Sequence, residues 1–288
     1  MFNRQWIKAL VGGIAIWASS NAIAIEIKGD LVQGNWVQVL AEPGSQLVFE
    51  QRKLNLDAEG RALIAFSRDA KPEKTLTLIS PNGDKTEHRL TIAQRDYIVQ
   101  RIDGLPAKHV TPDEATLAKI REDGRKAVEA RKIELATPYF LGGFIWPAEG
   151  WITGIYGSQR ILNGHPRRPH FGVDIAEATG TPIYAPADGE VTLAESMELS
   201  GNTLFIDHGY GLRSDFMHLE EILVKLGDQV KQGQQVATMG ATGRATGPHL
   251  HWGMSWFDVR LDPALMFNLD RTLARGARIM NNQVVWED

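Results

Sequence analysis

Two histidines stand two residues apart in Thr246-Gly247-Pro248-His249-Leu250-His251-Trp252. After Pro248 the run reads as the start of a strand, where side chains two apart project to one face. Neutral imidazole is the commonest protein ligand for zinc, so a paired presentation suits a metal with a helper group beside it. The same pair also fits two ordinary histidines on a surface strand. Other ligands elsewhere in the chain have to decide between the two.

The chain has no cysteine, so any metal must be held by histidine and carboxylate. Six of its eight histidines lie between residues 165 and 251. In Pro169-His170-Phe171-Gly172-Val173-Asp174-Ile175 a histidine and an aspartate are four apart. A helix would stack them, but Pro169, Gly172, Val173 and Ile175 argue for a loop entering a strand. Two imidazoles, one carboxylate and an open fourth position form a recognised zinc arrangement. Taken alone, Asp174 also fits a turn or a solvated carboxylate.

The elements that must position these residues are mainly β. Residues 25–105 alternate over Trp36–Leu40, Gln46–Phe49, Ala62–Phe66, Leu76–Ile79 and Arg89–Ile92, with turns at Ala58-Glu59-Gly60 and Pro81-Asn82-Gly83-Asp84. This spacing predicts a small β-sandwich-like accessory module with no catalytic cluster of its own. Thr111-Pro112-Asp113-Glu114 reads as a helix start, with Thr111 as cap and Glu114 closing a capping box. The helix is expected to reach about Leu135, weakened by Gly124 at about 1 kcal/mol relative to alanine. Its apolar stripe (Leu117, Ile120, Val128) is thin, which marks residues 106–143 as a solvated connector. Residues 144–269 return to short strands and glycine turns. Gly227–Val236 has the rhythm of lipoyl and biotinyl carrier barrels, but no lysine lies between Gln232 and His251. The rhythm is therefore read as barrel architecture and not as a carrier site. Residues 270–288 form a tail that opens like a short helix.

At 288 residues, 43% hydrophobic and 23% charged, the chain can bury a core, and its net charge of −4 does not mark a nucleic-acid binder. Residues 1–24 read as a signal peptide: Arg4 and Lys8, an apolar run from Ala9 to Ala18, and a cleavage pattern ending at Ala22-Ile23-Ala24. The run is short for a bilayer, which needs roughly 20 apolar residues, so no stable membrane anchor is expected after cleavage. An uncleaved anchor is the alternative. No cysteine follows the signal, which argues against a lipoprotein. Removing the two cations of residues 1–24 leaves the remainder at −6. Export is expected, with the periplasm the favoured destination over secretion or wall association.

His170, Asp174, His249 and His251, with His218 in Phe216-Met217-His218-Leu219, resemble the lysostaphin/LytM-type zinc metallopeptidases of peptidase family M23. Gly180–Gly189, Asp207-His208-Gly209 and Thr242–Pro248 agree with it, and the resemblance spans roughly Trp146 to Pro263. It implies a LytM-type antiparallel, barrel-like peptidase domain with one Zn²⁺ on His170, Asp174 and His251. His218 and His249 would be the catalytic pair, one moving a proton and one contacting the oxyanion, in an order left open. Zinc lowers the pKa of a bound water to about 7, which supplies the nucleophile. Many relatives place a tyrosine before a Gly-Asn pair to help bind the oxyanion; here Ser200 precedes Gly201-Asn202. The resemblance gives His208 no ligand role, so it is read as structural, and His165 as an exposed loop residue.

Arg160, Arg167, Arg168 and Arg244 stand out in a segment, residues 144–269, with 14 Asp/Glu against 8 Lys/Arg. Arg167, Arg168 and Arg244 are expected to bind stem-peptide carboxylates as bidentate forks; a solvated loop is the alternative. The whole reads as an exported peptidase of peptidoglycan stems or crosslinks. The competing reading is a non-catalytic LytM-like regulator that activates a cell-wall amidase, although such proteins typically lack some ligands.

Overall fold

The computed structural model describes residues 25–102, 113–162, 164–166, 168–267, 269 and 273–286. The expected signal segment, Thr111 and Pro112 lie outside them. The architecture is mainly β, as the alternating runs require.

Two small antiparallel sheets make the N-terminal part. One joins Glu26–Lys28, Trp36–Leu40 and Arg61–Ala65; the other joins Arg52–Lys53, Gln46–Phe49, Glu73–Ile79 and Lys85–Thr91. Period-2 alternation buries Val37 and Val39 from the first sheet and Leu47, Phe49, Leu76 and Leu78 from the second. These side chains pack between the sheets, with Phe49 and Phe66 edge to face at 5.9 Å. Gly60 has φ +81°, and a Cβ there would lie 2.0 Å from the Ala41 carbonyl oxygen, so this turn requires glycine.

The one α-helix among the described residues runs Glu114–Lys132, shorter than expected, and its cap is Asp113, whose carboxylate accepts from the Thr116 N–H. Its buried face also differs from the predicted stripe. Val128 is exposed, while Asp123, Ala127 and Ala130 turn inward, the alanines packing on Leu193, Met197 and Phe205. Small residues let the helix lie close to the sheet, a contact that a search for large apolar residues overlooks. Asp123 accepts from the Glu198 N–H at 2.7 Å. The fully buried Arg213 donates to the carbonyls of Ala130 and Arg131 at 3.1 and 3.2 Å, satisfying acceptors that a helix end leaves open. The connector is fastened to the sheet.

The C-terminal part is a twelve-stranded sheet. Its main path runs through Gly189–Met197, Gly201–Asp207, Leu212–Ile222, Leu250–Trp256, Val173–Ala176 and Gly150–Gly154. All of these neighbours are antiparallel. The expected tail helix does not appear among its described residues. Arg278–Met280 and Gln283–Val285 form a hairpin at the sheet edge beside Gly150–Gly154. Its turn residues Asn281 and Asn282 both have positive φ, the conformation a tight hairpin needs and asparagine tolerates.

Candidate active site

Sheet register brings the candidate metal ligands together. Asp174 pairs directly with His251 across antiparallel strands, so both side chains leave on one face. His170 sits on the loop ahead of Val173, held by His170 N–H to the Ser158 carbonyl at 2.9 Å and Gly157 N–H to the His170 carbonyl at 2.7 Å. His170 Nε2 lies 2.9 Å from Asp174 Oδ1 and 3.0 Å from His251 Nδ1, and His251 Nδ1 lies 2.8 Å from Asp174 Oδ1.

The tautomer of His170 tests whether this triangle fits a metal. Its Nδ1 is 3.0 Å from the Ile155 carbonyl oxygen, an acceptor, so Nδ1 carries the proton. In the neutral ring Nε2 is then a lone pair, aimed at a carboxylate oxygen and a second imidazole nitrogen. Such a set is stable only around a shared proton or a cation. Tetrahedral bonds of 2.0–2.1 Å place ligand atoms roughly 3.3 Å apart. The triangle is a few tenths of an ångström tighter, a difference small ligand movements absorb. The residues fit a metal ion.

Electrostatics agree. Burial opposes ionisation of Asp174, but the adjoining imidazoles of His170 and His251 outweigh it and hold the carboxyl well below its usual range. Burial pushes His251 down despite Asp174 beside it, favouring the neutral imidazole that ligation needs. Two glycines make the room. A Cβ on Gly154 would meet Asp174 Oδ2 at 2.2 Å, and one on Gly172 would meet His251 Nε2 at 2.7 Å. Sequence reading missed both roles, though a glycine inside or entering a strand is the available signal.

His218 and His249 share a cavity of about 590 Å³ with the three ligand residues. Their rings are 4.7 Å apart. His218 adopts φ +64°, a left-handed conformation in the middle of the strand Leu212–Ile222. Its Nδ1–H donates to the Thr242 carbonyl at 2.9 Å, and His249 Nδ1–H donates to the Gly247 carbonyl at 2.9 Å. Each ring therefore offers Nε2. Burial pushes His218 down to about 4, so it is neutral at neutral pH. His249 lies one residue before the strand Leu250–Trp256 begins. Alternation alone therefore does not aim it; its N–H bond to the Gly240 carbonyl also positions it.

Of the other sequence candidates, Arg244 lines this cavity and Arg168 lines the adjoining one. Arg167 and the side chains of Arg160 and His165 fall outside the description. Ser200 lines the cavity, and its hydroxyl accepts from Thr203 Oγ1 at 2.8 Å. His208 is fully buried outside the cavity, between the Asp188 carbonyl at 2.8 Å and Ser214 Oγ at 2.9 Å. Ile98 and Arg275 also line the cavity and had no sequence signal.

Comparison with known proteins places this arrangement. Residues 168–263 match Peptidase family M23. The chain is 46% identical over 84 residues to the peptidoglycan DD-endopeptidase ShyB of Vibrio cholerae, a match covering 29% of this chain and 20% of that protein. It is 33% identical over 156 residues to the cell division protein DipM of Caulobacter vibrioides, covering 54% and 24% respectively. The chain thus spans about a fifth to a quarter of the length of these relatives. A solved structure from Pseudomonas aeruginosa, described as a peptidase M23, aligns with TM-score 0.65 at 29% identity, covering 83% of this chain and 95% of that one. The matched segment, a peptidase M23 domain, encloses all five clustered residues.

Proposed function

We propose that the chain is an exported zinc endopeptidase that hydrolyses peptide bonds in peptidoglycan stems or crosslinks. The observation that carries this reading is the triangle of His170, Asp174 and His251 ligand atoms, all within 3.0 Å of one another, in one cavity with two further imidazoles. His170, Asp174 and His251 would hold a single zinc ion. When bound, zinc supplies a Lewis acid that acidifies water and polarises a peptide carbonyl.

The chain's own groups then handle the proton. His218 and His249 each anchor Nδ1–H on a backbone carbonyl, so each Nε2 accepts when neutral and donates once protonated. One ring takes a proton from the attacking water at Nε2 and passes it to the leaving amine. The other, once protonated, donates at Nε2 to the developing oxyanion. Anchoring at Nδ1 prevents either ring from flipping. Arg168 and Arg244, with Arg167 next to Arg168 in sequence, would bind stem carboxylates.

The export expectation rests on residues 1–24; among the described residues no helix is long and apolar enough to cross a membrane. The test is digestion of purified sacculi by the chain with and without chelator, followed by mass analysis of the products. Chelator-sensitive release of crosslink-cleaved fragments is expected. Intact crosslinks in the presence of zinc would sink the reading.

A further inference from the structure

A second cavity, of about 1210 Å³, adjoins the first and shares His170, Met217, Arg244 and His251 with it. The two meet at the ligand triangle but have different walls. The first is bounded mainly by the C-terminal part, with His218, His249 and Arg275, and takes only Ile98 from residues 25–105. The second is built by three parts of the chain: the turn Ser67-Arg68-Asp69 of the N-terminal module, the end of the helix around Lys132, and Arg168 and Arg260 beside the ligands.

Its charge is lopsided. Seven lining side chains are Arg or Lys and three are Asp or Glu. The three acids are already engaged: Asp69 with Arg68 at 2.6 Å, Asp258 with Arg52 at 3.8 Å, and Glu134 with the Asn55 amide at 2.8 Å. Positive charge remains in excess even after counting Asp215, buried beneath between Arg131 and Arg260, and Glu129, which pairs with Lys132 on the rim. Such a recess concentrates anions, and guanidinium groups fit carboxylates as a two-pronged fork.

The outer wall is rigidly attached. Arg68 Nε donates to the Gly157 carbonyl at 2.9 Å, and its guanidinium lies 4.2 Å over the Tyr97 ring. Tyr97 in turn fills the space beside Gly157, where a Cβ would come within 2.0 Å of the ring. Gly157 is the residue whose N–H holds the His170 carbonyl. The N-terminal module thus braces the loop carrying a proposed metal ligand and faces the recess next to it.

We propose that this second cavity seats a carboxylate-bearing peptide strand of the substrate, gripped by Arg168, Arg244 and Lys132, with the Arg68 turn as its outer wall. A peptide bond placed at the triangle has a strand on each side, and two cavities meet there to receive them. The proposal rests on the peptidase reading and deepens it: the accessory module and helix become part of substrate selection.

The test is calorimetric binding of a stem tetrapeptide with free carboxylates, and of the same peptide with its carboxylates amidated, to the full chain. Neither ligand contains a crosslink, so binding is read without turnover. The acid form is expected to bind about tenfold tighter than the amide form. Lys132→Gln, Arg168→Gln and Arg244→Gln should each reduce that ratio to roughly threefold or less. Equal affinity for the two peptides, or a ratio that survives a combined Lys132→Gln and Arg168→Gln change, overturns the proposal. Sacculus digestion with no acid-to-amide preference defeats this inference alone. A preference without any digestion defeats the peptidase reading and leaves the cationic seat standing.

Discussion

Two buried clusters of histidine and aspartate lie in one sheet, and they are built on opposite principles. Away from the ligand triangle, Asp207, His208, Arg213, Ser214 and Asp215 are fully buried. Here the chain brings its own cations. Arg131 lies 3.0 Å from Asp215, Arg260 also pairs with Asp215, and Arg213 lies 3.8 Å from Asp207. Protons have consistent places: His208 donates to the Asp188 carbonyl and accepts from Ser214, whose oxygen accepts from Trp252 Nε1 at 3.3 Å. At the ligand triangle, His170 faces acceptors at both ring nitrogens. The residue types are the same. What marks the candidate site is three ligand atoms that converge on one point, where His170 can offer only a lone pair.

The comparison predicts that the ligand triangle fails by losing an ion and the ion-paired cluster by losing stability. The largest effect should come from Asp174→Ala, which is expected to abolish metal content and turnover while the chain stays folded by circular dichroism. Next, His218→Ala should cut turnover by about 10²- to 10⁴-fold with metal retained, the range for a lost general acid or base. Metal analysis beside kinetics checks this. Gly154→Ala should weaken metal affinity by roughly 10- to 100-fold, because its Cβ would displace the Asp174 carboxylate. Competition with a chromogenic chelator measures it.

In the ion-paired cluster, Arg213→Met should lower unfolding free energy by about 3 kcal/mol in urea titration. It strands Asp207 beside open helix carbonyls while leaving metal stoichiometry intact. The smallest effect concerns pH. Burial holds the folded-state pKa of His208 down to about 4, from 6.5. The stability this contributes is therefore present above about pH 6.5 and lost as pH falls through 4. Asp207 works in the opposite sense: burial raises it to about 6, so its contribution is present at low pH and lost as pH rises through 6. Replacing His208 with Gln should make the urea midpoint less sensitive to acidification between pH 6.5 and 4. An unchanged slope would mean that His208 does not titrate with unfolding.

Parts of this molecule were legible in the sequence because local chemistry is written locally. The histidines and Asp174 stand in short spaced blocks, and the strands of the N-terminal module alternate openly. Features created by tertiary contact were not legible. Gly154 looks like any strand glycine until Asp174 arrives from the neighbouring strand. The helix shows its large residues, but it docks through Asp123, Ala127 and Ala130, whose meaning depends on Phe205 and the Glu198 N–H. Arg68 lies 102 residues before His170. Only folding brings it against the Gly157 loop. The C-terminal hairpin was obscured by charged residues ahead of its Asn281-Asn282 turn.

The central claim is a division of labour within His249-Leu250-His251: one ring holds the metal and the other serves the reaction. Zinc content per chain, measured by mass spectrometry on purified wild type, His249→Ala and His251→Ala, tests it most directly. The account predicts one ion in the wild type and in His249→Ala, which should be inactive, and none in His251→Ala. Loss of zinc from both variants, or its retention in His251→Ala, would contradict it.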